Sequence, residues 1–590
     1  MKEYQKIFRK VMDNKNNFFY EHISPKMKES IIISVILLFN LLIVLSKLTQ
    51  DFLEINPYDG VKYIESGRML FNWGLRDLSW GPLVAFIYAP IYLIIGQSPN
   101  WFMLSTWFGN VVLFLLMWIS FYYLACQLPE KISKPVFIGI LFTSMIYFRV
   151  MQNQSDALFV SLSSLALANL ISYRNNNKTI SLLLASTFVG LGVFARVETI
   201  ILVAPLILFT ILFSLDKHSI FKSLLIAFLP ILFLLSVFII LNLIIKGHPN
   251  LGIGGKSYFS FTHPLVQNFI PGSKNHEAFI RGEAIFGTFE ENQGSVIRAI
   301  MRNPVAVLER IYANVLEIPV MISNYFGNLH RRLLIFFSLI GVYVLAKGKD
   351  KKILLLLLLW PSHVIITLIF ESFHFIPQSS YFFLILSGIG ITYLLSNQSS
   401  QKDKIFLFLF SIILLIISLI GQHKPEFALS ILLLLVSTTN ILTDEKINST
   451  IKINALPGVV LLAGLILFEN SFVFPTPQVG KTEDEIAIHF MIKNFPEQSN
   501  VVAYFPRSPV AAKMNHIPFP YNINNKEELL LFLSDRQISM IYIDDKTPIY
   551  SSLLENIIID DTNMFDLIHI SESEEIRIYG TNLSANEIDE

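Results

Sequence analysis

The sequence predicts a polytopic α-helical membrane protein of about 13 spans that ends in a small water-soluble α/β domain. Two observations predict it. Of 590 residues, 53% are hydrophobic and only 15% are charged, where soluble chains carry roughly 25% charged residues. The deficit is also uneven: long aliphatic runs fill positions 28–474, whereas 475–590 has the mixed composition of a soluble domain. Formal net charge is zero, so nothing points to nucleic acid as a partner. The single cysteine, Cys126, lies in an apolar run, which excludes a disulfide framework.

The chain opens with a basic segment, residues 1–27. It is too polar for a cleavable signal peptide. Spans follow, each needing about 20 mostly apolar residues to cross the hydrocarbon core. Their expected ranges are 28–48, 101–126, 135–150, 156–173, 180–196, 199–215, 220–245, 332–346, 353–370, 380–396, 404–421, 426–442 and 455–474. The apolar stretch 82–97 is bounded by Pro82 and Pro99 and interrupted by Pro90; it is set apart as an interfacial or re-entrant helix.

Charge fixes the orientation, because Lys and Arg collect in cytoplasmic loops. With the N-terminus inside, Lys131 and Lys134, Arg174 and Lys178, Lys217 and Lys222, Lys347 through Lys352, Lys402 and Lys404, and Lys446 and Lys452 all fall inside. Counting 82–97 as a span would reverse every later loop. Three large segments then face outward from a plasma (inner) membrane: the loop 49–100, the loop 246–331 and the tail 475–590. Within the second loop, 303–320 is amphipathic and suited to the membrane surface. The tail alternates strands with helices, through Asn500–Tyr504, Glu527–Leu533, Met540–Ile543 and Arg577–Tyr579.

The first outer loop carries the most chemistry. Pro57-Tyr58-Asp59-Gly60-Val61-Lys62-Tyr63-Ile64-Glu65-Ser66-Gly67-Arg68 has the marks of a helix start, with Asp59 near the N-terminus, where the dipole favours a carboxylate. Asp59 and Tyr63 are four apart and share a face; Glu65 and Arg68 are three apart and within pairing reach. A carboxylate at the membrane surface can take the proton of an attacking hydroxyl. It can equally do no more than cap a surface helix.

The pattern Asp-x-x-x-Tyr-x-Glu-x-x-Arg, here Asp59, Tyr63, Glu65 and Arg68, resembles the GT-C membrane glycosyltransferases. It is most similar to the dolichyl-phosphate-mannose protein mannosyltransferases and the bacterial lipid A aminoarabinose transferases. The resemblance continues at Gly81-Pro82 and at Gln154-Ser155-Asp156-Ala157, which is similar to the family's Arg-Pro-Asp-Ala. It extends to Ala195-Arg196-Val197-Glu198, where the family has a basic residue, and to Ser380-Tyr381-Phe382, where relatives often have Arg-Tyr-Leu. The departures are Gly60 in place of a second acid, Trp80-Gly81-Pro82 without the preceding Lys, and Ser380 in place of Arg.

The resemblance implies an inverting transfer of a sugar from a polyprenyl-phosphate carrier, the co-substrate, to an acceptor hydroxyl. Asp59 would be the base and Asp156 a second catalytic group. Tyr63, Arg68, Arg196, Glu198 and Lys256 would bind substrate. No cofactor is firmly implied, and a divalent metal is left open.

Ionisable residues at span ends cost little through snorkelling, so Arg196 and Glu198 have a simple anchoring role as an alternative. The loop 246–331 holds Lys246, His248, Lys256, His263, His276, Arg281, Arg298 and Arg302. Such cations could stabilise a departing phosphate, although singly each reads as solvated loop. Gly254-Gly255-Lys256-Ser257 imitates the end of a P-loop, but Asn250 stands where the motif needs glycine, so it is no nucleotide site. The histidines lack metal-ligand spacing. A transporter or flippase of lipid-linked sugars is the rival class; the repeated halves that many transporters show are missing from the sequence.

Overall fold

The computed structural model describes residues 29–38, 59–71, 82–98, 100–128, 154–213, 217–246, 282–325, 329–347, 351–361, 375–395, 483–503, 506–518, 526–544 and 564–581, with a few isolated positions besides. The expected spans 135–150, 404–421, 426–442 and 455–474 fall wholly or almost wholly outside this set, as does the loop lysine Lys256.

The helices, in chain order, are α1 (Glu29–Leu38), α2 (Asp59–Phe71), α3 (Pro82–Ile95), α4 (Trp101–Gln127), α5 (Gln154–Asn176), α6 (Thr179–Ala195), a 3-10 turn (Val197–Leu202), α7 (Val203–Phe213) and α8 (Lys217–Lys246). After the second loop come α9 (Val296–Arg302), α10 (Pro304–Tyr325), α11 (Leu329–Lys347), α12 (Lys351–Leu359) and α13 (Phe375–Leu395). Among the described residues, Trp101–Gln127, Gln154–Asn176 and Ile220–Leu241 are long and apolar enough to cross a membrane by length and composition.

Sequence chemistry accounts for the boundaries. Pro82 and Pro304 stand at first helical positions, where a missing N–H costs nothing. Asn303 caps α10, its Oδ1 accepting from Ala306 N at 3.1 Å, and Ser295 caps α9 by accepting from Arg298 N. The stretch set apart at 82–97 is the proline-bearing helix α3.

Helix α5 is the axis of the bundle: nearly every residue from Gln154 to Tyr173 is buried. It packs between α4 and α6. Its serines satisfy themselves locally, as when Ser161 Oγ donates to Ala157 O at 2.7 Å. By contrast α8 turns Phe221, Leu229, Phe233 and Ile244 outward, as a lipid-facing helix must.

Helices α11 and α13 meet at small residues. A Cβ added at Gly341 would lie 2.1 Å from Leu386 O, and one at Gly390 would lie 2.2 Å from Phe337 O. Membrane helices associate through such close backbone approach because lipid supplies little hydrophobic drive.

Two contacts establish which helix ends coincide. Tyr123 Oη donates to Asn169 Oδ1 at 3.2 Å, and Asn175 Nδ2 donates to Gln127 O at 3.4 Å. Thus α4 and α5 run parallel, with Trp101 and Gln154 at one end. Antiparallel α6 brings Arg196 back to that same end. Glu29, at the start of α1, pairs with Lys134 at 3.4 Å just beyond the opposite end of α4.

Residues 483–581 form a five-stranded sheet with helices on both faces. Its elements are α14 (Glu483–Asn494), β1 (Asn500–Ala503), α15 (Arg507–Ala511), β2 (Asn515–Pro518), α16 (Lys526–Asp535), β3 (Ile538–Ile543), β4 (Phe565–Ile570) and β5 (Arg577–Thr581). The strand order is β2-β1-β3-β5-β4. β1 pairs in parallel with β2 and β3, while β5 is antiparallel to β3 and β4. Alternation sends Val501, Ala503, Met540, Tyr542 and Ile578 towards α14, and Val502, Ile541, Ile543 and Tyr579 towards α16. Both faces are therefore covered, as parallel strands require.

Candidate active site

Helix α2 begins at Asp59, as its sequence predicts, so the unpaired backbone N–H groups of its first turn surround that position. Tyr63 and Ile64 are buried. Lys62 Nζ pairs with Glu65 Oε2 at 2.7 Å, and Arg68 lies 3.9 Å from the other Glu65 oxygen. The anticipated Glu65–Arg68 pair is thus the looser of two. Gly67 lets α2 press onto α3, since a Cβ there would stand 2.4 Å from Tyr88 Cβ.

At the same end of the bundle, Asp156 sits in the first turn of α5, where the helix dipole favours a carboxylate. Arg196 follows α6 in extended conformation, its N–H donating to Gly192 O at 2.7 Å. Thr199 Oγ1 donates to the same carbonyl at 3.0 Å. This fold-back of the chain aims Arg196 Nη1 at Asp156 Oδ1, with which it forms an ion pair, and at Ser155 Oγ, 3.3 Å away. The two side chains are only 14% and 7% exposed, so each charge relies on the other.

Gln154, one residue earlier, is wholly buried, and its amide faces the Tyr88 hydroxyl. Neither group completes a well-aligned hydrogen bond among the described residues. A buried amide and phenol side by side can hydrogen-bond to each other or to a third polar group. Tyr88 itself lies against Gly109 of α4. Since α3 also touches α5 and α6, it links the helix headed by Asp59 to the Asp156–Arg196 pair.

Other predicted site residues fall elsewhere. Arg68 turns to backbone carbonyls of the C-terminal segment, Lys513 O at 2.8 Å and Met514 O at 3.4 Å. Glu198 lies in the 3-10 turn, but its side chain, like that of Asp59, is outside the described set. Sequence reasoning missed Trp101, which donates from Nε1 to Ala511 O at 3.0 Å. A Trp at the head of a span was the available signal, although aromatic belts make such residues common.

In the second loop, Arg302 is held by Glu291 and Arg310 by Phe261 O and Ile369 O, with Arg310 also stacked over Phe286. The Thr288 N–H and Arg302 hold the Glu291 carboxyl below its ordinary range. Burial, with Glu290 and Glu291 adding repulsion, pushes Glu283 up. Among the described residues, no three His, Cys, Asp or Glu side chains gather closely enough to hold a metal ion.

No protein-family model and no curated protein matches the chain. Solved structures do. ArnT from Cupriavidus metallidurans bound to undecaprenyl phosphate is 11% identical, with a TM-score of 0.50 over 94% of this chain and 98% of that one. The same protein in the apo state gives 11% identity and 0.48 over 92% and 97%. An oligosaccharyltransferase from Archaeoglobus fulgidus, tethered to an acceptor peptide, gives 12% identity and 0.48 over 87% and 69%. The chain shares the fold of the undecaprenyl-phosphate-bound ArnT structure, in line with the resemblance drawn from its loop motif.

Proposed function

We propose that the chain is a glycosyltransferase which moves a hexosyl or pentosyl group from a polyprenyl-phosphate carrier to an acceptor hydroxyl, with inversion, at the outer membrane face. One observation carries the proposal: the end of the bundle that receives α2, headed by Asp59, also holds the buried Asp156–Arg196 pair. The fold supports it, being that of a protein crystallised with undecaprenyl phosphate.

In the reaction the acceptor oxygen bonds to the anomeric carbon while the bond from that carbon to the phosphate oxygen breaks. Asp59 takes the hydroxyl proton. An ordinary Asp, with a pKa of about 3.9, is ionised but weakly basic, so proton transfer is late. The leaving phosphate needs cationic stabilisation rather than a general acid, a role for Arg196 with Lys256. Asp156 holds Arg196 in place, Glu198 belongs to the donor site, and Tyr63, buried in the core beside α2, supports the helix that carries Asp59. The amide of Gln154 and the hydroxyl of Tyr88 suit a neutral hydroxylated group. In this reading thirteen spans place the N-terminus in the cytoplasm and the loops 49–100 and 246–331 outside, with residues 475–590 as an extracytoplasmic α/β domain.

The test uses purified full-length protein and a labelled polyprenyl-phosphate sugar. Transfer should release polyprenyl phosphate, whereas a lipid-linked-sugar flippase would move the intact donor between leaflets without releasing it. Asp59→Asn should cut the rate by roughly 100- to 10,000-fold while sparing donor binding. Full retention of transfer would remove Asp59 as the base.

A further inference from the structure

The C-terminal segment docks on the bundle through the short α15 and the turn after it. Val510 and Ala511 are buried in one core cluster with Val61, Tyr63 and Ile64 of α2 and with Trp101. Around that contact, side chains from the bundle hold three carbonyls, one at the end of α15 and two in the turn. Trp101 Nε1 donates to Ala511 O at 3.0 Å. Arg68 Nη1 donates to Lys513 O at 2.8 Å, and Nη2 to Met514 O at 3.4 Å.

The turn is shaped to present those carbonyls. Lys513 has φ +61, a left-handed conformation that a side-chain-bearing residue adopts at a cost. The N–H groups of Lys513 and Met514 are spent inside the turn, on Val510 O and Pro509 O, both at 2.9 Å. Lys513 O also accepts from Gln498 N at 3.1 Å, so β1's approach and Arg68 converge on one oxygen. Arg68 is only 5% exposed, and its charge is matched by Glu65 and the carbonyl dipoles.

Helix geometry separates this contact from the chemistry. Asp59 and Arg68 are nine positions apart on α2, about 13.5 Å along the axis at 1.5 Å per residue. Arg68 therefore reaches the reaction only through the helix that both occupy. We infer that Arg68 and Trp101 are positioning residues: they clasp the C-terminal α/β segment to α2 and so hold Asp59 at the bundle, rather than contacting donor or acceptor. The inference rests on the reading of Asp59 as the base.

The experiment uses the full-length chain with Arg68→Ala, Arg68→Lys and Trp101→Phe, and two readouts. Hydrogen exchange of the amides of residues 60–71 should rise several-fold in Arg68→Ala and, less, in Trp101→Phe, whose ring still packs. Transfer kinetics should show kcat falling roughly 10- to 100-fold in Arg68→Ala, as a misplacement near 1 Å can cause. The donor KM should stay within about twofold, because only transition-state geometry has suffered. Arg68→Lys, keeping one donor, should recover part of the loss. Unchanged exchange in both Arg68→Ala and Trp101→Phe overturns the clasp, as does a raised donor KM at constant kcat, which would make Arg68 a ligand of the carrier phosphate. Should Arg68→Ala fail to fold, Trp101→Phe decides the exchange arm. Should wild type transfer nothing, the proposed function fails while exchange still tests the clasp.

Discussion

The Arg196 guanidinium, one residue past α6, closes onto the Asp156 carboxylate in the first turn of α5, and this ion pair ties two antiparallel helices at their shared end. Its energetics are asymmetric. Both charges are mostly out of water, so removing one strips the other of its ion-pair partner in a setting of low polarity, a loss of up to about 3–5 kcal/mol. Removing both is far cheaper.

That asymmetry separates stability from catalysis. Arg196→Gln and Asp156→Asn should each lower the thermal midpoint in detergent by several degrees. The double substitution, which restores a neutral hydrogen-bonding pair, should regain most of that loss yet leave sugar transfer down by roughly 100-fold or more. If the double variant recovers transfer along with stability, the pair is a structural strut and Arg196 does not meet the phosphate.

The α11–α13 contact gives a second prediction, independent of function. Gly341→Ala puts a methyl 2.1 Å from Leu386 O, a backbone atom with no rotamer to escape through. The helices must separate, at a cost of about 1–3 kcal/mol or more. Gly580→Ala in β5 is the control: its added Cβ would meet nothing nearer than 3.6 Å, and the expected change is near zero. Thermal unfolding of the two variants, monitored by monodispersity in detergent, is the measurement. Equal midpoints would show that α11 and α13 do not pack as closely as these distances require.

Much of this arrangement was legible in the sequence, and the reason is physical. Lipid forces backbone polar groups into helices, so apolar runs translate directly into α4, α5, α6 and α8. The Pro57–Asp59 start of α2 followed from capping chemistry, which is local. The short runs read as strands in the tail are β1, β3 and β5. What sequence could not supply were long-range pairings. The Asp156–Arg196 pair spans 40 residues, and both members were singled out without being joined. The contacts of Arg68 with backbone carbonyls 445 and 446 residues away are equally invisible in sequence, because a carbonyl carries no residue signature. Trp101 was hidden for the same reason.

The C-terminal sheet supplies a last prediction through His516. It is buried on β2, its Nε2 lies 2.8 Å from Ala503 O, and the Lys62 ammonium is close by. Burial above all, reinforced by Lys62 and opposed by the Ala503 carbonyl, pushes its pKa down to about 3. An unfolded His titrates near 6.5. Above about 6.5 the ring is neutral in both states and folding gains no penalty. As pH falls from about 6.5 towards 3, the unfolded chain takes up a proton that the folded one refuses, so stability drops by up to about 1.4 kcal/mol per pH unit. His516→Gln keeps a donor for Ala503 and removes the titration. Wild type should therefore lose stability between pH 6.5 and 4.5 more steeply than the variant, with the sheet's amides exchanging first. Because α15 and the turn before β2 hold α2, exchange in residues 60–71 should rise over the same pH interval in wild type and stay flat in His516→Gln. Parallel pH profiles for the two proteins would mean that His516 protonates without strain in the folded state.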